Sequence, residues 1–188
     1  VTNVANFGTY AFELDSLIII DSFKLNNQLQ LVISNGKVRR VTMPVPLAQG
    51  VPFTVQVFYH GTAPAGTGAF FTGGLNHVQL PSGTHIMYSE SDPDFADDWW
   101  PCKQSIQDKI DSVDMWVTVP SACKVGSNGL LKQVTSMPGS KLRYEWKTQY
   151  PIAYYLISVA VAPYAERNYY MHYTDGSNDS MLIQNFVY

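Results

Sequence analysis

The chain has 188 residues and a formal net charge of −3, and Arg39-Arg40 is its only adjacent pair of basic residues. A nucleic-acid partner is therefore disfavoured, because such binding depends on clustered positive charge. No apolar run, Leu17–Ile20 included, approaches the roughly 18 residues needed to span a bilayer, so no membrane span is predicted. Charged residues make up only 14% of the chain, against about 25% in an average domain, and this composition is common in all-β and exported proteins.

Short apolar or alternating runs, broken by Gly, Pro, Asn and Ser, recur along the whole chain, and no segment keeps a helical period. These runs predict an all-β, mostly antiparallel protein in which residues 1–188 form one continuous domain without a clear linker. The predicted strands are Thr9–Phe23, Gln28–Ser34, Val38–Met43, Phe53–His60, Thr84–Tyr88, Ser112–Val119, Lys124–Val134, Lys141–Thr148, Ala153–Val161, Tyr169–Tyr173 and Met181–Val187.

The connections carry their own signals. Asn35-Gly36 predicts a hairpin turn, because both residues tolerate positive φ. The stretch from Gly61 to Gly83 is rich in Gly, Thr, Ala and Pro, which predicts a long surface loop. Ser105–Ile110 is the one modest helix candidate.

Cysteine and histidine give few signs of chemistry. Cys102 and Cys123 could form one disulfide, although reduced, buried thiols are favoured about two to one. No His-Glu-x-x-His motif is present. His60 at the end of a strand favours a structural hydrogen bond over a metal ligand, and His77 and His85 flank the long loop and could converge.

Glu90, Asp92, Asp94, Asp97 and Asp98 form a candidate acidic cluster. A solvated acidic turn is the simpler interpretation. The alternative is that one carboxylate faces a cationic group at short range.

Trp99 and Trp100 follow this cluster directly. If both lie on one strand, their side chains point to opposite faces. One is then expected in the core and the other at an interface.

Three motifs in the second half of the chain carry a resemblance to a known family: Asp98-Trp99-Trp100-Pro101-Cys102-Lys103, Lys109 to Pro120 (Lys-Ile-Asp-Ser-Val-Asp-Met-Trp-Val-Thr-Val-Pro), and Ser127-Asn128-Gly129. Together they resemble the amino-terminal domain of aminopeptidase-N-like zinc metallopeptidases. Tyr150-Pro151-Ile152-Ala153-Tyr154-Tyr155-Leu156 is similar to a later strand of that family.

The resemblance implies a large bent β-sandwich that closes one side of a peptidase cleft. It implies that the zinc-binding helix lies in a catalytic domain that would follow Tyr188, so that zinc is a cofactor of the parent protein and this chain holds neither a metal site nor a catalytic residue. The implied partners are that downstream domain and a peptide substrate. The family places a Gln or Glu nine residues before the Pro of the Trp-Pro-Cys step, where it holds the substrate α-amine, and Asp92 stands at that position here.

The chain departs from the family pattern at two places. Asp97 replaces a basic residue, and Gln104-Ser105 replaces the acid-x-Pro that usually follows the Cys. The resemblance thus implies a divergent, non-catalytic domain of a zinc aminopeptidase, and the composition favours an exported parent.

The alternative is an independent β-sandwich module that binds carbohydrate or protein. A hydrolase that works alone through its carboxylates is disfavoured, because no second acid is placed opposite the cluster.

Overall fold

The computed structural model describes residues 7–64 and 73–187, and within them the backbone forms antiparallel β-strands and two single 3₁₀ turns, Ala96–Asp98 and Tyr154–Leu156. In chain order the strands are β1 (Phe7–Glu13), β2 (Ile19–Leu25), β3 (Gln28–Gln30), β4 (Ile33–Asn35), β5 (Val38–Leu47), β6 (Val55–His60), β7 (Leu75–Gln79), β8 (His85–Ser89), β9 (Val113–Pro120), β10 (Lys124–Ser127), β11 (Leu130–Met137), β12 (Lys141–Thr148), β13 (Val159–Ala162), β14 (Ala165–His172) and β15 (Ser180–Val187). The predicted all-β, antiparallel class is confirmed.

The chain divides into two compact units, each assembled from three segments. The first unit comprises Val1–Asn76, Ser89–Asp111 and Pro151–Ser158, and the second comprises His77–Tyr88, Ser112–Tyr150 and Val159–Tyr188. Whether residues 1–188 act as one domain stays a prediction.

The first unit contains two three-stranded sheets, ordered β1-β5-β4 and β3-β2-β6. Buried and exposed side chains alternate along β5, so that Val41 and Met43 enter the core between exposed neighbours. Phe12 and Phe23 stack in this core with ring centroids 5.8 Å apart. Period-two alternation of this kind is typical of a strand with one face toward the core.

The predicted hairpin at Asn35-Gly36 is confirmed, with the turn one residue later than the pattern indicated. Asn35 pairs with Val38, so the two loop residues are Gly36 and Lys37. Gly36 has a φ of 59°, which suits glycine at the first loop position. The tip of the hairpin therefore presents Lys37.

The second unit contains the sheets β10-β13-β8-β7, β11-β12-β9 and β14-β15, although β7 begins and β8 ends within the first unit. Tyr144 and Trp146 are buried on one face of β12. The Trp146 indole N–H donates to the carbonyl of Val125 at 3.2 Å. The chain turns between β10 and β11 at Gly129, whose φ is +83°.

Several predicted strands are shorter than expected because the chain turns inside them. Thr9–Phe23 breaks between β1 and β2, where the Ile18 N–H donates to the Asp15 carbonyl at 3.1 Å. Lys124–Val134 breaks at Gly129, and Ala153–Val161 begins with a 3₁₀ turn.

Two other predictions were wrong. The segment Gly61 to Gly83 is not loop throughout, because β7 lies within it; its residues 65–72, which include the glycines of Gly66-Thr67-Gly68, lie outside the described residues. Ser105–Ile110 contains a turn, in which the Asp108 N–H donates to the Ser105 carbonyl at 3.2 Å, and no helix. Over residues 7–64 and 73–187, no helix has the length and apolarity to cross a membrane.

Candidate functional site

The segment from Ser91 to Trp99 forms a loop that carries Asp92 and is closed by two hydrogen bonds to Ser91. Ser91 is buried; its carbonyl accepts the Phe95 N–H at 3.1 Å, and its hydroxyl accepts the Trp99 indole N–H at 2.9 Å. The Asp92-Pro93 peptide bond between these anchors is cis. The chain folds back on itself here, and Asp92 lies on the exposed side of the loop.

Tyr154 fixes the same loop from a distant part of the chain. Its buried hydroxyl donates to the Pro93 carbonyl at 2.8 Å and lies 3.4 Å from a carboxylate oxygen of Asp94. Burial, and secondarily the Asp94 charge, raises the pKa of Tyr154, so the hydroxyl keeps its proton and remains a donor at neutral pH. Asp92 is therefore carried by a loop held at Ser91 and at Pro93.

The Asp92 side chain is exposed, and no described residue donates a hydrogen bond to its carboxylate. An ionised carboxylate is an acceptor with two oxygens, which suits it to bind an ammonium group. Of the five acids in the predicted cluster, Asp92 and Asp94 are exposed and Glu90 is half-buried. The exposure of these three acids is what the interpretation as a solvated turn predicts.

Asp97 and Asp98 behave differently, and the interpretation as a solvated turn was wrong for them. Both are buried, and the Lys37 ammonium lies 3.1 Å from Asp97 Oδ2 and 2.8 Å from Asp98 Oδ1. Asp15, also buried, is the third acid of this group, 3.4 Å from the same ammonium. The alternative, that an acid faces a cation, is confirmed for this pair.

Charge and burial oppose each other in this Lys37 cluster, which consists of Lys37, Asp15, Asp97 and Asp98. Burial raises the pKa of Asp97 above its usual value; Lys37 lowers it, and the neighbouring Asp98 charge adds to the rise. Burial works to lower the pKa of Lys37, but its hydrogen bond to Asp98 and its ion pair with Asp97 outweigh burial and raise that pKa. Lys37 is thus the cation that faces these three buried carboxylates.

The two tryptophans do not divide between core and interface as predicted. They follow the first 3₁₀ turn and do not lie on a strand, and both are half-buried, with ring centroids 6.3 Å apart in an edge-to-face arrangement. The Trp99 carbonyl accepts a hydrogen bond from the Tyr59 hydroxyl at 3.2 Å, while Trp100 packs against the buried cluster of Ala96, Cys102 and Tyr154. They are scaffold for the loop that carries Asp92.

Both cysteines are free thiols, as the sequence favoured over a disulfide. Cys102 is buried and Cys123 is half-buried. Cys102 pairs with Glu13 through backbone hydrogen bonds of 2.8 and 3.1 Å. Burial, and secondarily the charges of Asp97 and Glu13, raises the pKa of the Cys102 thiol well above its usual value. Cys102 is therefore a packing residue rather than a nucleophile at neutral pH.

The histidines are exposed and fall into different environments. His60 lies 2.8 Å from a carboxylate oxygen of Asp21, which fits the structural hydrogen bond predicted for it. His77 and His85 do converge, with ring nitrogens 3.1 Å apart. Among the described residues, no three or more His, Cys, Asp or Glu side chains are grouped as a metal site.

Sequence reasoning missed several residues that shape the site. Lys37 and Asp15 are distant in sequence from the acidic cluster, and Tyr154 lies about 60 residues beyond the loop that it anchors. The one available signal was the hairpin at Asn35-Gly36, which places a lysine at a tip. Nothing in the pattern indicated what that tip touches.

The strands and the loop together define an all-β, antiparallel domain. The sequence matches no protein-family model and no curated protein. The structure is similar to the M1 zinc metallopeptidase from Deinococcus radiodurans, with a TM-score of 0.79 and 20% identity over 95% of this chain. It is also similar to a mutant of the M1 zinc metallopeptidase from the same organism bound to a Tyr-Ser-Ala substrate, with a TM-score of 0.80 and 19% identity over 97% of this chain. The fold that the sequence resemblance implied is confirmed.

The match covers only part of each of the other proteins. This chain covers 39% and 40% of those two metallopeptidase chains. It therefore spans about two fifths of the length of the proteins whose fold it shares.

Proposed function

We propose that the chain is the amino-terminal, non-catalytic domain of a zinc aminopeptidase that removes residues from the amino terminus of peptides. The observation that carries this proposal is the fold match: nearly all of this chain superposes on about two fifths of a zinc metallopeptidase chain. The motif from Asp98 to Lys103 supports the same assignment from the sequence.

The described residues do not fit a catalytic zinc ion, since they contain no group of three potential ligands. We assign the zinc to a catalytic domain beyond residue 188. There the metal would act as a Lewis acid and lower the pKa of a bound water. No step of hydrolysis is assigned to residues of this chain.

Asp92 is the residue that we propose to contact substrate. Its carboxylate is exposed and takes no hydrogen bond from any described side chain or backbone N–H, so binding an amine would break no hydrogen bond to the described residues. The loop beneath it is fixed by the Trp99–Ser91 and Tyr154–Pro93 hydrogen bonds. A carboxylate on a rigid loop loses less entropy on binding a ligand than one on a mobile loop.

The first test replaces Asp92 in the full-length enzyme. A charge-assisted hydrogen bond contributes about 1.5–3 kcal/mol. Asp92→Ala is therefore expected to raise KM for substrates with a free amino terminus roughly ten- to hundredfold. KM is measured on an aminoacyl arylamide.

Asp111→Ala is the matched control, because Asp111 is also an exposed aspartate of the first unit. Asp92→Glu tests the side chain that the resemblance implies at this position, and it should retain a low KM. Kinetics of Asp92→Ala equal to those of Asp111→Ala would remove Asp92 from the substrate site while leaving the domain assignment intact.

The second test concerns the chain by itself. We expect no release of an arylamine from an aminoacyl arylamide by the 188-residue chain, with or without added Zn²⁺. Hydrolysis that depends on zinc and is abolished by a chelator would contradict the assignment as a non-catalytic domain.

One observation favours the alternative, a binding module for carbohydrate or protein. Trp116 on β9 is 61% exposed, and the Arg143 guanidinium lies 4.9 Å from its ring centroid. Trp and Arg are among the residues most enriched at binding hot spots. The coding sequence downstream of residue 188 separates the two functions: a His-Glu-x-x-His about a hundred residues on supports the peptidase, and an unrelated domain supports the module.

A further inference from the structure

His77 and His85 form a closely spaced pair on the β7–β8 hairpin of the second unit. Nδ1 of His85 lies 3.1 Å from Nε2 of His77, and the two rings are parallel within 5° with centroids 5.1 Å apart. Both side chains are exposed. The two imidazoles therefore present their nitrogens to each other at a position that solvent and ions can reach.

The strands hold this geometry. The Leu80 N–H donates to the Thr84 carbonyl at 2.8 Å, and the Glu90 N–H donates to the Gly74 carbonyl at 3.1 Å. This register places His77 and His85 on the same face of the hairpin as diagonal neighbours, a relation that long side chains on adjacent strands can bridge. The backbone of both histidines is thus fixed before any ligand arrives.

The separation of the two nitrogens matches that of a chelated metal ion. Imidazole nitrogens bind at about 2.0–2.1 Å from Zn²⁺, so a gap of this size corresponds to an N–metal–N angle of about 100°. That angle lies between the right angle of the square-planar sites of Cu²⁺ and Ni²⁺ and the tetrahedral angle of a zinc site, so it is compatible with both. In the structure these two nitrogens share a hydrogen bond, which a bound ion would replace.

We propose that His77 and His85 form a surface site for a divalent transition-metal ion, with Cu²⁺ bound more tightly than Ni²⁺ or Zn²⁺. The order follows from the general rise of affinity toward Cu²⁺ in this series. Two protein ligands leave the other coordination positions to water or to an external ligand. This proposal does not depend on the proposed function.

The test is a calorimetric titration of the 188-residue chain with Cu²⁺, Ni²⁺ and Zn²⁺ at pH 7.5, where imidazole is neutral. One Cu²⁺ per chain is expected, with electron paramagnetic resonance showing coupling to two imidazole nitrogens. His77→Ala and His85→Ala should each weaken Cu²⁺ binding about tenfold or more, because the second ligand of a chelate acts at high effective concentration.

His172→Ala is the control, since His172 is an exposed histidine on a strand of the same unit and should leave the affinity unchanged. Because all three histidines are exposed, the variants should fold, which far-ultraviolet circular dichroism checks. The proposal is overturned if the His77→Ala, His85→Ala double variant binds Cu²⁺ as the unaltered chain does, or if His172→Ala weakens binding equally. Coupling to a single nitrogen, or no binding at micromolar Cu²⁺, would overturn it as well.

Discussion

Replacing Lys37 by methionine is expected to lower the free energy of unfolding at pH 7 by about 3 kcal/mol. Removing one partner of a buried ion pair costs about 3–5 kcal/mol, because the remaining charge is left without compensation. Lys37 is 45% exposed, so water can partly replace it, which puts the expected loss at the lower end. Asp97 has no exposed side-chain surface, so it bears most of this loss.

The loss should depend on pH in a defined direction. The folded-state pKa of Asp97 is already raised by burial, and removing Lys37 raises it further. An acid with a raised folded-state pKa binds its proton more tightly in the folded chain, so stability falls as pH rises from the unfolded value through the folded one. Urea unfolding should therefore show the largest deficit of Lys37→Met at pH 7 and a smaller one toward pH 4.

Lys103→Met is the matched control for this effect. Lys103 pairs with Asp108 at the surface, where both side chains are well exposed. Exposed pairs contribute roughly 0.2–1 kcal/mol, so this variant should lose little stability. Adding Asp97→Asn to Lys37→Met should restore part of the loss. Equal losses for the two lysine variants would show that the Lys37 cluster does not stabilise the fold.

Local sequence signals sufficed for the class of the fold and for most of its strands. The alternation along Val38–Met43 and the Asn35-Gly36 turn depend on contacts within a few residues, and both are found in the structure. The positions where strands break were missed. At Asp15 to Ile18 the chain turns because Asp15 is held by partners far away in sequence, including the Asp97 carbonyl at 2.7 Å from its N–H.

The candidate site was predicted less completely, and the reason is the same. The sequence placed Asp92, Asp97 and Asp98 in one acidic run, and it could not separate an exposed carboxylate from two buried ones. That separation depends on Lys37, which is 61 residues from Asp98 in sequence. Burial of a charge is decided by its tertiary partners, so a run of acids carries no information about which member is solvated.

Gly74 is expected to tolerate a side chain poorly. A Cβ built there would lie against the Phe95 carbonyl oxygen, 2.8 Å from Trp99 Cδ1 and 3.0 Å from Asp98 Cβ. The Gly74 N–H also donates to Asp98 Oδ2 at 3.1 Å, so the backbone cannot move away from these atoms without breaking a buried hydrogen bond. Gly74→Ala should cost about 3 kcal/mol and lower the midpoint of thermal unfolding by roughly 10 °C.

Gly8→Ala is the control, because a Cβ at Gly8 in β1 would meet no atom within 4 Å and should change stability little. Gly74 also lies next to residues that support the proposed substrate site. The atoms that an alanine would displace belong to Phe95, Asp98 and Trp99, and Trp99 holds the Asp92 loop through Ser91. In the full-length enzyme, Gly74→Ala should therefore raise KM at temperatures where the protein is still folded, and Gly8→Ala should not. A variant that loses stability and keeps its KM would show that the loop adjusts without moving Asp92, and that its rigidity is not needed to bind the substrate amine.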